Sequence, residues 1–270
     1  MCRHLAYLGP SVTVQSLVAD PPCGLARQAW APRRQRHGTM NADGFGIGWY
    51  VDGDPVPARY RQAGPIWADP CLPDLARVTR TRALLAAVRS ATDGTESGAA
   101  AAAPYASGRW LFSHNGVLDG WPAATARLAA GLPAGDLLTL EARCDSALAW
   151  ALVKSRLRAG EPAADALAGV IADFGRHGIA GRFNFLLTDG EVISATAAGD
   201  TLCYRAAGPG APGGPGVVVA SEPGDDGPGW TDVPDNSVLT ATVDAVEVRS
   251  LPVTPPPPAA GTEEGRILAS

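Results

Sequence analysis

The chain has 270 residues, 46% of them hydrophobic and 18% charged, with a formal net charge of −5. That suits one large globular domain or two small ones. It excludes a polyanion binder, because the densest basic run is only Arg33-Arg34-Gln35-Arg36, which reads as a solvated loop.

No apolar stretch approaches the ~20 residues needed to span a bilayer. The N-terminus lacks a charged leader followed by an apolar run, so no secretory signal is read there. The expected partners therefore include neither nucleic acid nor membrane. Five cysteines (Cys2, Cys23, Cys71, Cys144 and Cys203) are scattered, odd in number and without a C-x-x-C pair. That argues against a zinc site and against a disulfide framework. The four histidines show no H-x-x-x-H spacing. The expectation is a cytoplasmic protein with no metal and no cofactor.

In chain order, Arg3 to Leu8 reads as a short strand. Ser11 reads as the N-cap of a short helix to Val18, ended by Pro21-Pro22. A Gly-rich segment from Asn41 leads into a strand over Ile47 to Val51, and Asp52-Gly53-Asp54 makes a hairpin turn. Leu84 to Val88 and Arg109 to Ser113 read as strands, with a Gly/Ala loop from Ser97 to Ala103 between them. Helical spacing covers Asp145 to Ala159, stopped by Gly160, and then Pro162 to His177. Strands return over Arg182 to Leu187, Glu191 to Ala195, Leu202 to Arg205, Val217 to Ala220, Val238 to Val243 and Val246 to Leu251. A Gly/Pro loop covers Gly208 to Gly216. Helices segregated from antiparallel strands predict an α+β fold. One domain is expected over residues 2–251, with a disordered tail over 252–270.

Four places carry candidate chemistry. Cys2 directly follows Met1, and Cys is small enough for methionine aminopeptidase to act before it. The processed chain would then carry a thiol and an α-amine on one residue. With a pKa of roughly 7.7 to 8.0, much of that amine is neutral near neutral pH and can serve as base to the thiol. Taken alone, a single Cys after Met is weak evidence. In Val88-Arg89-Ser90-Ala91-Thr92, a strand ends in a guanidinium able to grip a carboxylate in two places, or to make a surface ion pair. In Phe112-Ser113-His114-Asn115-Gly116, a carboxamide donor and an approachable Gly N–H are the parts of an oxyanion hole. The same dipeptide also fits a hairpin turn. In Arg143-Cys144-Asp145-Ser146, Asp145 suits a helix N-cap and suits equally a ligand for an ammonium group.

Met1-Cys2, Asn41 through Tyr50, Arg89 through Thr92, His114-Asn115-Gly116 and Asp145-Ser146, in that order and spacing, resemble the class II glutamine amidotransferase family. Ala220-Ser221-Glu222-Pro223, Gly229-Trp230 and Val233-Pro234 fit the same group, so the resemblance runs from Cys2 to about Leu251. It implies a four-layer αββα sandwich of the N-terminal nucleophile type. It implies that Cys2 is the nucleophile and that Asn115 and Gly116 form the oxyanion hole. Arg89, with Thr92 nearby, would hold the α-carboxylate of a γ-glutamyl group, and Asp145 its α-ammonium. One departure is Ala147, near which members often carry an acidic residue.

The opening residues through Gly9, with Asn41 to Tyr50, are similar to the γ-glutamyl amidohydrolases of ergothioneine biosynthesis. Those release glutamate from γ-glutamyl-hercynylcysteine S-oxide. Such a leaving group carries a trimethylammonium, which aromatic faces bind, and Trp30, Trp49, Trp67, Trp110 and Trp121 are candidates. The alternatives are another γ-glutamyl hydrolase or glutaminase subunit of the family, serving glutathione degradation or feeding ammonia to a partner, and a catalytically silent interaction protein. The chain ends about where a glutaminase domain would end, so either a partner accepts ammonia or the chain hydrolyses on its own. The expected partner is a small γ-glutamyl molecule, with protein partners left open.

Overall fold

The computed structural model describes residues 2–208, 210–211 and 214–252. Of the tail expected over residues 252–270, residues 253–270 lie outside the described residues, as does part of the Gly208 to Gly216 loop.

The first strand, β1 (Arg3–Thr13), is longer than its sequence suggests. Pairing of Val12 with Thr81 and of Thr13 with Arg80 carries it past Leu8, across a bulge. The N-cap therefore moves from Ser11 to Thr13, whose Oγ1 accepts from Ser16 N at 3.2 Å, and α1 spans Val14–Val18. There follow α2 (Leu25–Gln28), β2 (Phe45–Trp49), β3 (Ala58–Gln62), a 3-10 turn at Ile66–Ala68, α3 (Leu72–Val78) and β4 (Arg80–Val88). Gly53, at φ 84°, turns β2 into β3 where a hairpin was expected.

The second half opens with β5 (Tyr105–Ser107), β6 (Trp110–Leu118), α4 (Ala126–Ala129) and α5 (Ala134–Leu138). The two long helices are α6 (Asp145–Arg158) and α7 (Ala163–Arg176), with Gly160 at φ 85° ending the first turn of chain beyond α6. The remaining strands are β7 (Gly181–Thr188), β8 (Ile193–Ala197), β9 (Cys203–Ala207), β10 (Gly216–Ala220), β11 (Thr231–Asp232), β12 (Ser237–Ala241) and β13 (Val246–Ser250). Short elements such as α3, α4, α5 and β11 carry too few residues to show a period.

Two antiparallel sheets result. One runs β11-β9-β10-β1-β4-β2-β3 and the other β13-β12-β8-β7-β6-β5. Strand alternation sorts their side chains into three separate cores. Ala6, Leu8, Ala83 and Leu85 meet Leu111, Leu186 and Ala195 between the sheets. Leu5, Leu84, Ala86 and Val88 face Val14, Val18, Leu25 and Leu72 on the outer helices. Phe112, Phe185 and Leu187 face Leu148, Trp150 and Phe174 of α6 and α7. Three cores between four layers make the αββα sandwich that the family resemblance implied. Among the described residues, no helix is long and apolar enough to cross a membrane.

Candidate active site

Register places the site. Arg3 pairs with Val88, Val88 with Phe45, and Phe45 with Gln62, in one row across the first sheet. Cys2 precedes the start of β1 and Arg89 follows the end of β4, so both stand on the same rim. Together with Tyr105, Ser113, His114 and Ser146 they line one small cavity of about 20 Å³. Residues 87 apart in the chain thus meet because adjacent antiparallel strands end together.

The Cys2 thiol is half-buried and donates to the Ser90 carbonyl at 3.7 Å. Burial pushes its pKa up, and Asp145 adds to this, while the Arg89 guanidinium pulls it back. At neutral pH the resting group is a thiol, and attack on a carbonyl needs a base beside it.

Arg89 is buried, and its guanidinium is stapled in place. It donates to the carbonyls of Glu96 at 2.9 Å and Asp43 at 3.4 Å, and to Thr95 Oγ1 at 3.1 Å. The Asp43 carboxylate in turn accepts from Ala91 N at 2.8 Å, which fixes the turn after β4. Among the described residues Arg89 makes no surface ion pair, because this Arg points inward. Thr92 lies in that turn, where its carbonyl accepts from Thr95 Oγ1 at 2.6 Å, and it does not line the cavity.

Asn115 and Gly116 do not form a turn. The β6 strand runs on to Leu118, with Asn115 opposite Asn184 and Gly116 opposite Phe183 of β7. Asn115 is fully buried beside the cavity, on the face shared with Ser113. Its amide is barely engaged: Nδ2 donates a long 3.4 Å bond to Ser221 Oγ, and Oδ1 has no partner among the described residues. Leu118 N donates to Asp145 Oδ2 at 3.2 Å, away from β7. By the two-residue alternation of a strand, the Gly116 N–H shares that outward edge. A Cβ at Gly116 would sit 1.9 Å from the Arg182 carbonyl oxygen and 2.5 Å from His114 Nε2, so only glycine fits.

Cys144, not Asp145, takes the N-cap of α6, at φ −146° and ψ 161° and without a side-chain cap. Asp145 is the first helical residue, and its buried carboxylate accepts from Leu118 N at 3.2 Å and Ser146 N at 2.8 Å. It therefore ties α6 to the β6 edge, next to the cavity without lining it. Ala147, where members often carry an acid, is buried in the α6 core.

His114, Ser146, Ser113 and Tyr105 were not predicted as site residues. Burial lowers the pKa of His114, so it is neutral. Its Nε2 faces the Arg182 carbonyl at 2.9 Å, which can only accept; Nδ1 at 3.0 Å therefore accepts from the Ser146 hydroxyl. His4 Nδ1 lies 3.1 Å from Ser113 Oγ, and burial first, then the Arg3 charge, holds its pKa down to about 3. The alternation of β6 and β1 could have indicated these neighbours once the facing of the sheets was known.

Residues 18–209 match the family described as class-II glutamine amidotransferases. The chain belongs to this family. The match begins after Cys2, so the placement of the thiol stands on the geometry above. The chain is 42% identical to the gamma-glutamyl-hercynylcysteine sulfoxide hydrolase of Mycobacterium tuberculosis over 93% of its length and 97% of that protein. It is 41% identical to the protein of the same name from Mycolicibacterium smegmatis, over 88% of this chain and 95% of that one. Among solved structures, a glutamine aminotransferase class-II domain protein from Silicibacter pomeroyi superposes with a TM-score of 0.67 at 23% identity, covering 93% of this chain and all of that one (100%). The glutamine PRPP amidotransferase of Bacillus subtilis superposes at 0.63 and 16% identity, covering 93% of this chain and 49% of that one. These superpositions bear on the fold, and they agree with two antiparallel sheets between helices.

Proposed function

We propose that the chain is an amidohydrolase that releases glutamate from γ-glutamyl-hercynylcysteine sulfoxide, with the processed N-terminal Cys2 as nucleophile. The observation that carries this reading is 42% identity, over 93% of the chain, to a hydrolase named for that substrate. The cavity shared by Cys2 and Arg89 supports it chemically.

In this reading the α-amine of Cys2 takes the thiol proton, which the buried thiol does not release unaided. The sulfur attacks the γ-carbonyl carbon of the substrate. Charge collects on the carbonyl oxygen, where the Asn115 amide and the Gly116 N–H stabilise it. The amine then passes its proton to the leaving nitrogen, the C–N bond breaks, and a γ-glutamyl thioester remains on Cys2. Water, deprotonated by the same amine, attacks the thioester, and glutamate leaves with the thiol restored. Arg89 holds the α-carboxylate, Thr92 supports it through the turn that holds Thr95 against the guanidinium, and Asp145 holds the α-ammonium.

The test is glutamate release from glutamine, glutathione and the γ-glutamyl sulfoxide conjugate, with mass spectrometry of the N-terminus. The conjugate is expected to be turned over fastest, by protein lacking Met1. Glutamate release that persists in Cys2→Ala would overturn the mechanism.

A further inference from the structure

Two indoles stand open on the rim that carries Cys2. Trp30 is 41% exposed and Trp67 is 45% exposed. Their ring centroids lie 5.7 Å apart and their planes cross at 85°, which makes an aromatic corner facing solvent. The backbone puts this corner at the same end of the first sheet as Cys2. Trp67 lies on the 3-10 turn just beyond Gln62, the last residue of the row that begins at Arg3. Trp30 follows Ala29, whose carbonyl accepts from Asn41 N at 2.7 Å, and Asp43 N donates to the Arg89 carbonyl at 2.9 Å.

The other tryptophans considered from sequence stand elsewhere. Trp49 ends β2 opposite Leu84, four residues from the rim. Trp110 begins β6 at the end opposite to Gly116, and Trp121 packs against the α6 core.

Beside the corner is a cation. The exposed Arg27 guanidinium lies 5.3 Å from the Trp30 ring centroid, and among the described residues it pairs with no carboxylate. We infer that Trp30, Trp67 and Arg27 form a binding site for a trimethylammonium betaine, with the aromatic corner taking the quaternary ammonium and Arg27 its carboxylate. This rests on the substrate proposed above, whose leaving group ends in the betaine of a trimethylated histidine.

The chemistry matches on both counts. A quaternary ammonium has no N–H to donate, so aromatic faces are its natural partners. A guanidinium fork suits the carboxylate two bonds away. The reach is of the same order. Three strand spacings separate β1 from β3 in the row, about 14 Å in all. From the scissile nitrogen through cysteine, sulfoxide and imidazole to the quaternary nitrogen spans roughly 10 Å, at about 1.5 Å per bond along a bent path. The nucleophile and the carbonyl carbon account for the difference.

The experiment compares kcat/KM of the full-length protein on two substrates: the γ-glutamyl conjugate and the same conjugate built on unmethylated histidine. Wild type is expected to prefer the methylated one. Trp30→Leu and Trp67→Leu are each expected to reduce that preference about two- to fivefold, the span of an exposed cation–π contact. Arg27→Gln is expected to lower kcat/KM on both substrates and leave the preference in place. A Trp30→Leu/Trp67→Leu double variant that keeps the wild-type preference, in protein with an unaltered circular dichroism spectrum, would overturn this inference while leaving the proposed substrate standing. Wild type that releases glutamate from glutathione but from neither conjugate would overturn the proposed substrate, and the betaine site with it.

Discussion

Replacing Asn115 by Ala separates catalysis from folding more cleanly than any other single change in this site. If the amide holds the developing oxyanion, its loss lowers kcat by about 10² to 10³, or about 2.7 to 4 kcal/mol. The stability change should be small, for reasons visible in the structure. The Asn115 side chain is fully buried, and among the described residues its Oδ1 is unpartnered and its one Nδ2 bond is 3.4 Å long. Burying an unmatched polar atom costs about 1–3 kcal/mol, which Ala relieves. The vacated volume, at about 24 cal/mol per Å³ of residual cavity, returns roughly 1 kcal/mol in the opposite direction. The two offset to within about 1–2 kcal/mol. The assay is kcat for glutamate release at saturating substrate, beside urea unfolding of the same preparation. Asn115→Asp keeps the shape but cannot donate from an ionised carboxylate, so it should lose kcat as well. An Asn115→Ala variant with kcat within about threefold of wild type would refute the reasoning. So would a loss of more than about 3 kcal/mol in stability, which would make Asn115 a structural residue.

Gly116→Ala places a methyl against the Arg182 carbonyl, where His114 Nε2 also donates, so the β6–β7 ladder must open. Overpacking of this kind costs about 1–3 kcal/mol, and urea unfolding indistinguishable from wild type would contradict the placement. Arg89→Lys loses both the planar fork and the staples to Glu96, Thr95 and Asp43. KM should rise at least about tenfold with a smaller change in kcat, and an unchanged KM would remove Arg89 from carboxylate binding. His4 is held neutral down to about pH 3 by burial, against an unfolded value near 6.5. Its contribution to stability is complete above about pH 6.5 and is lost as pH falls toward 3, about 2 kcal/mol of it between pH 7 and pH 5. Urea unfolding at both pH values should show His4→Gln losing about 2 kcal/mol less than wild type over that interval; equal losses would refute the buried neutral imidazole.

Much of this protein was legible from local pattern alone. Short apolar runs in β4, β7, β10 and β12, helical spacing in α6 and α7, and glycine at the stop after α6 are all written in neighbouring residues. So were the types of residue at the site: a thiol at position 2, an arginine after a strand, a carboxamide followed by glycine. The amino-acid order therefore determined the element types, the α+β class and the chemical vocabulary.

The uses of that vocabulary were decided by tertiary pairing. Asn115-Gly116 suits a hairpin turn locally and becomes mid-strand because β7 pairs straight across it. Asp145 suits an N-cap and instead ties α6 to the β6 edge through Leu118 N, because Cys144 occupies the cap. Ser11 suits a cap and is overridden because β4 holds Val12 and Thr13 in the sheet. Each competing local preference is worth about 1 kcal/mol, and several ladder bonds plus an apolar layer outweigh it. The same long-range pairing brings Cys2 to Ser90 and Arg89, and sets Trp30 beside Trp67. Contacts across such separations leave no period in a single sequence, so only the folded sheets decide which of these residues share a site.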